Sequence, residues 1–143
     1  MSKYNFFIAG RWRNKDEVKK VLEAVRSCGK TAYCFIENDY KGEKIEFKPG
    51  ENPDTFMKKS ENLPIDDSLI QKIFKKDISA LKQSDNFLLV FPSGKASHIE
   101  AGIAYGMGKK CYAIGLPEKT ETLYCIFEEI FLELESLKTW LSQ

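Results

Sequence analysis

Glu100 lies two positions after the chain's one histidine, His98, in the run FPSGKASHIEAGIAYGMGKK (residues 91–110), which holds four of the nine glycines. An ionised carboxylate so placed can act as a nucleophile. A second carboxylate interrupts an apolar series: Ile70, Ile73, Phe74, Ile78 and Leu81 recur at i, i+3, i+4, i+8 and i+11, and Asp77 takes the missing i+7 place. A carboxylate on a buried stripe is costly unless it is paired or used. The plain alternative is that the stripe's edge meets solvent at Asp77. Arg11 and Arg13 follow Gly10, and guanidinium groups take a phosphate or carboxylate through paired hydrogen bonds. Ordinary surface charge is the simpler account of Arg11. Ser93, Gly94 and Ser97 can add hydroxyl and backbone donors to an anion.

Each of these residues also has a structural account. Ser97-His98-Ile99-Glu100 fits the capping box S-x-x-E, in which serine and glutamate satisfy free N–H groups at a helix start. In a first turn the helix dipole would also favour Glu100 as an anion, as a nucleophile requires. Gly102 and Gly106, one turn apart, leave a bare helix face that suits sheet packing as well as ligand approach. His98 is open as an acid, a ligand contact or a solvent-facing residue. No Cys or His clusters with it, so no metal is expected, and no other cofactor is implied. GMGKK is not a phosphate-binding P-loop, because its lysines follow the helix instead of opening it.

The elements that must position these residues alternate. YNFFIA (4–9) reads as a buried strand ending at Gly10; a helix follows Asn14, a plausible cap, with Val18, Val21, Leu22 and Val25 on one face and Gly29 at its close. TAYCFIE (31–37) is a second strand, and residues 38–64 form a long charged segment punctuated by prolines. A helix from about Asp66 to Lys82, a strand NFLLVF (86–91), a helix Ser97–Met107 and a strand KCYAIGL (110–116) come next. The tail reads as a short helix (121–127), a brief strand near Ile130–Leu132 and a last helix through Leu137, Trp140 and Leu141. This order predicts a doubly wound, flavodoxin-like three-layer α/β sandwich: a five-stranded parallel sheet of order 2-1-3-4-5 in a single domain, 1–143. Ligands then bind beyond the carboxyl ends of strands 1 and 3, between Gly10–Asn14 and Pro92–Glu100.

Composition fits one such unit: 143 residues, 43% hydrophobic, and a net charge of +1 from 22 Lys and Arg against 21 Asp and Glu. That balance gives no footprint for long nucleic acid. The apolar run at the N-terminus is too short for a signal peptide or a membrane span, so no membrane partner is expected. Cys28, Cys34, Cys111 and Cys125 form no CxxC pair and read as free thiols of a cytoplasmic protein.

FFIAG, DISALKQSDNFLLVF and SHIEAGIAYGMGKKCYAIG together resemble the nucleoside 2-deoxyribosyltransferase family, including its branch of 2′-deoxynucleoside 5′-monophosphate N-glycosidases. The E-x-G-x-A-x-x-x-G-K portion is the most specific part. The resemblance implies a nucleoside or nucleotide substrate, with Glu100 attacking the anomeric carbon and Asp77 contacting substrate and assisting the leaving base. Water or another base would resolve the glycosyl ester, the logic of retaining glycoside hydrolysis. That logic asks for an ionised Glu100 and an Asp77 that holds its proton. Arg13 matches an arginine of the monophosphate branch and Ser93 its phosphate-binding serine, with Ser97 in competition because the loop is about one residue longer. Asp85 matches a further aspartate, here structural. The resemblance also implies a homodimer or a higher homo-oligomer, for which Tyr105 and Tyr124 are exposed-looking contacts. Phe7 stands where the family has a tyrosine that orients the nucleophile, and this departure favours a second reading, a non-catalytic nucleotide-sensing module. A phosphoribohydrolase of the lysine-decarboxylase-like type would need a PGGxGTxxE run, which Pro92-Ser93-Gly94-Lys95 lacks.

Overall fold

The two-residue period of β1 (Tyr4–Ala9) sends Phe6 and Ile8 to one side of a sheet and Phe7 and Ala9 to the other, as in a strand buried on both faces. The computed structural model describes residues 2–37, 39–40, 43–44 and 62–143. After β1 come a 3-10 turn (Trp12–Asn14), α1 (Lys15–Ser27), β2 (Ala32–Cys34) and a second 3-10 turn (Phe35–Glu37). The antiparallel pair β3 (Asp39–Tyr40) and β4 (Glu43–Lys44) is followed by α2 (Ser68–Lys82), β5 (Ser84–Val90), α3 (Lys95–Gly106) and β6 (Lys110–Ile114). A 3-10 segment (Thr122–Ile126), β7 (Phe127–Phe131) and α4 (Leu134–Leu141) complete the order.

The main sheet runs β2-β1-β5-β6-β7 with every neighbouring pair parallel, the predicted 2-1-3-4-5 order. Val18, Val21, Leu22 and Val25 of α1 and Leu137 and Leu141 of α4 cover one face; Ala80 and Leu81 of α2 and Ala101 and Ala104 of α3 cover the other. Helices α1 and α3 follow adjacent strands onto opposite faces, so their connections part at the carboxyl ends of β1 and β5. One hydrogen bond spans that divide: Asn14 Nδ2 donates to the Phe91 carbonyl at 3.3 Å. Asn14 therefore begins α1 without capping it by its side chain.

Several expected boundaries shift. The second strand stops at Cys34, where the chain turns into the 3-10 turn, and the short helix expected at 121–127 is a 3-10 segment. The last strand spans Phe127–Phe131, with both end residues buried. Most of the irregular segment expected over 38–64 lies outside the described residues. Among the described residues no helix is long and apolar enough to cross a membrane.

Candidate active site

Helix α3 begins earlier than the capping pattern implies, and this changes the meaning of Glu100. Gly94 is the N-cap, so Ser97 already lies inside the helix and Glu100 is its sixth residue. The Ser97 hydroxyl donates back to the Gly94 carbonyl at 3.1 Å instead of accepting from a free N–H. No capping box forms, and Glu100 lies past the first turn, where the dipole's effect has faded. Its carboxyl has no hydrogen-bond partner among the described residues, yet its oxygens are not sealed from solvent. Burial and the nearby charge of Asp77 raise it to about 8.

Asp77 is held in the opposite way. On α2, Leu81 and Ala80 are buried while Phe74 is 57% exposed, so the buried stripe runs through Ile73, Asp77, Ala80 and Leu81 and not through Phe74. That rotation brings Asp77 to the sheet, half-buried, and rules out the solvent-facing edge. Its Oδ1 accepts a 2.8 Å hydrogen bond from the Tyr33 hydroxyl of β2. Burial raises Asp77 to about 6, and the Tyr33 bond, which favours the anion, offsets part of that rise. Both carboxylates are thus raised, and Glu100 responds to Asp77's charge. Between about pH 6 and about 8 the pair carries one proton between its two members. The expectation that Glu100 is stabilised as an anion while Asp77 alone is raised does not hold in the unliganded site, because α3 offers Glu100 burial without donors.

The loop above the pair is tied internally. Ser93 and Ser97 hydroxyls are hydrogen-bonded to each other, and Ser97 is 2% exposed, so of the two only Ser93 keeps access to a ligand. His98 Nδ1 lies 2.6 Å from the Gly94 carbonyl and therefore donates to it, while Nε2 pairs with the Tyr124 hydroxyl at 3.0 Å. Tyr124 is half-buried against Phe91 and His98, not exposed as its sequence context suggested. His98 thus fastens the start of α3 to the 3-10 segment before β7.

The residues after β1 divide differently from expectation. Arg13 is exposed on the 3-10 turn, whereas Arg11 is half-buried and its Nε–H is buried with no acceptor among the described residues. Surface charge does not describe Arg11: a buried donor without a partner is an open demand for an anion or carbonyl. Gly10 is a glycine for packing, since a Cβ there would stand 2.7 Å from Val18 Cγ2 of α1. Gly102 and Gly106 are exposed, with nothing within 4 Å of an added Cβ, so neither serves sheet packing; Ala101 and Ala104 do that. Asp85 is exposed at the amino end of β5, away from the pair. No group of three or more His, Cys, Asp or Glu among the described residues could hold a metal. Tyr33 is the residue of this site that sequence reasoning missed; Asn14 was placed on the crevice's edge, but its bond to the Phe91 carbonyl was not foreseen.

No model of a known protein family matches the sequence, and no curated protein does. Solved structures do resemble the fold. A 2-deoxyribosyltransferase from Bacillus psychrosaccharolyticus matches with a TM-score of 0.66 at 16% identity, over 93% of this chain and 89% of that one. The CMP N-glycosidase of Clostridium botulinum matches with a TM-score of 0.54 at 19% identity, over 95% of this chain and 96% of that one. The five parallel strands and flanking helices are therefore the fold of these two members of the nucleoside 2-deoxyribosyltransferase family, the family that the FFIAG and SHIEAGIAYGMGKK runs resemble.

Proposed function

We propose that this protein cleaves or transfers the N-glycosidic bond of a (deoxy)nucleoside or its 5′-monophosphate through a covalent glycosyl ester on Glu100. The observation that carries this reading is the carboxylate pair: Glu100, desolvated and without a hydrogen-bond partner among the described residues, lies near enough to Asp77 for that aspartate's charge to raise it. In the productive arrangement the pair's proton is on Asp77. A Glu100 oxygen forms a bond to C1′, the C1′–N bond breaks, and its electron pair leaves with the base as Asp77 delivers the proton to it. Water, giving its proton to Asp77, or a second base then displaces Glu100 from C1′ and restores the carboxylate. Positive charge developing on the sugar favours the anion on Glu100, which offsets its raised resting value.

The anionic end of the substrate is assigned to the residues after β1 and β5. Arg13 and Ser93 take the 5′-phosphate, Gly94 contributes backbone at the start of α3, and the orphaned Arg11 Nε–H supplies a buried donor. Gly10, Ser97 and His98 act behind these contacts, through packing and the hydrogen bonds of the loop. The protein works as a cytoplasmic homodimer or higher homo-oligomer; Ile99, Phe74 and Tyr105, each more than half exposed on α2 and α3, supply apolar surface for that assembly.

A screen of deoxynucleosides and their monophosphates for free-base release, with wild type beside Glu100→Gln, tests the reading. Release by wild type and its loss in the variant is the expected result; equal turnover by both would end the nucleophile assignment. Two observations favour the nucleotide-sensing alternative: Phe7 offers no hydroxyl, and Glu100, raised to about 8, is a poor anion at rest. Tight, unhydrolysed nucleotide in the purified protein would support that alternative.

A further inference from the structure

Phe7 and Tyr33 are register partners on β1 and β2, on the α2 and α3 side of the sheet, with rings stacked at 5.1 Å and 28°. Phe7 stacks on its other side against Phe87 of β5 at 5.9 Å, so three adjacent strands present a row of rings beneath the two helices. Only Tyr33 in that row carries a hydroxyl. It is 7% exposed, and a phenol buried to that degree needs a polar partner; its hydroxyl donates to Asp77 across 44 residues of sequence.

We propose that Tyr33 is the positioning residue of this site, supplying from β2 the hydroxyl that Phe7 of β1 lacks and fixing Asp77, not Glu100. The proposal rests on the reading of Asp77 as the proton donor to the leaving base. An aspartate near the middle of α2 would otherwise sample several rotamers. With Oδ1 accepting from Tyr33 at 2.8 Å, the acid proton belongs on Oδ2, the oxygen left for the leaving group. The phenol bond also favours the anion, which keeps Asp77 able to give its proton up. Among the described residues, the titratable groups around Asp77 are Tyr33 of β2, which bonds it, and Glu100 of α3, which its charge raises, with Lys76 next to it in α2; Tyr4 of β1 reaches Tyr33's ring at 5.7 Å, and Lys3 lies over Tyr4.

Tyr33→Phe keeps the ring row and removes the hydroxyl. Carboxyl-carbon NMR titration of Asp77 in wild type and variant requires no turnover, and the expected result is an Asp77 titration moved upward in the variant. Base release is expected to fall roughly ten- to a hundredfold in kcat, the range for a lost hydrogen bond to a charged group, with KM little changed and the acid limb of the pH profile moved the same way. An unmoved Asp77 titration would overturn the proposal, as would a moved titration with wild-type kcat and pH profile. A wild type that releases no base from any substrate would overturn the glycosidic reading itself, and with it the catalytic role of Tyr33, while a moved titration would still show the hydroxyl holding Asp77.

Discussion

On the α1 and α4 side of the sheet, Val18, Val21, Leu22, Val25, Leu88, Ile114, Leu137 and Leu141 close a core together with the rings of Phe6, Tyr112 and Phe131. Burial there pushes the Cys34 thiol up to about 12, beyond any physiological change. On the α2 and α3 side the helices approach through Ala80, Ala101 and Ala104, the strands present Phe7, Tyr33 and Phe87, and two carboxylates enter the same layer. Burial silences a thiol on each side, Cys34 on the first and Cys111 on the second, and on the second side alone it also raises two carboxylates toward neutral pH. The first side closes a core, and the second carries two desolvated carboxylates at a cost in stability.

The largest predicted effect sharpens that contrast at one residue. Glu100→Gln is expected to lower base release by roughly a thousandfold or more while making the protein more stable. The sign follows from linkage. Glu100 rises from an ordinary 4.5 to about 8 in the folded chain, so between these values the native state keeps a proton that the unfolded state has released. Wild-type stability therefore falls as pH rises from about 4.5 to about 8, a penalty that glutamine does not have. Thermal melting should show the variant's advantage widening across that window and then levelling off. A variant less stable than wild type at pH 8 would mean that Glu100 is structural. The same pair sets the rate profile of the wild type: base release should be bell-shaped, failing below about 6, where both carboxylates are protonated, and above about 8, where no proton is left to give.

The opposite face should show the reverse pattern. Leu88 is 0% exposed between α1 and the sheet, and Leu88→Ala is expected to cost about 2–5 kcal/mol of stability. Base release per folded molecule should hardly change. A loss of turnover in protein shown to be folded would break the division of labour between the faces.

An intermediate effect belongs to the rim that both faces share. Arg13→Ala should weaken a monophosphate by about 1.5–3 kcal/mol in KM and leave the free nucleoside nearly unchanged. Arg11→Ala should also weaken the monophosphate, but without destabilising the unliganded protein, because its Nε–H has no partner to lose. Equal changes with nucleoside and monophosphate would assign both arginines to the scaffold.

The α1 and α4 face was largely legible in the sequence and the carboxylate face only in part, for physical reasons. β1 ends in the apolar run Phe6–Ala9 stopped by Gly10, and α1 repeats its valines and leucine at helical spacing, so local pattern alone defined both. Asp77 was visible as a break in a stripe, yet the stripe's rotation was not, because Phe74 looks like a core residue until the helix is seen against the sheet. Glu100 was visible as a motif, but S-x-x-E does not say which serine begins the helix; the start at Lys95 settles it. The Tyr33 bond to Asp77 joins β2 to α2 across an intervening segment, and no local pattern encodes such a contact. The tail's apolar residues keep no single stripe because three short elements share them: a 3-10 segment, a strand and a helix.

The smallest effect concerns the outer surface of the carboxylate face. Helix α3 turns Ile99, Gly102 and Gly106 outward, with Ile99 64% exposed, and an added Cβ at Gly102 meets nothing within 4 Å of this chain. In an isolated chain, Gly102→Ala should therefore be stabilising by about 0.5–1 kcal/mol, the gain from replacing glycine inside a helix. If a second copy packs on this face, as the proposed homo-oligomer requires, the glycine is instead where that copy comes close, and the added methyl should weaken association. Light scattering at micromolar concentration should then give a multiple of the chain mass for wild type and a lower average for the variant, while at high dilution the variant melts higher. A wild type that scatters as a single chain, with Gly102→Ala stabilising at every concentration, would leave the bare face of α3 open to solvent and remove the assembly from the account of this site.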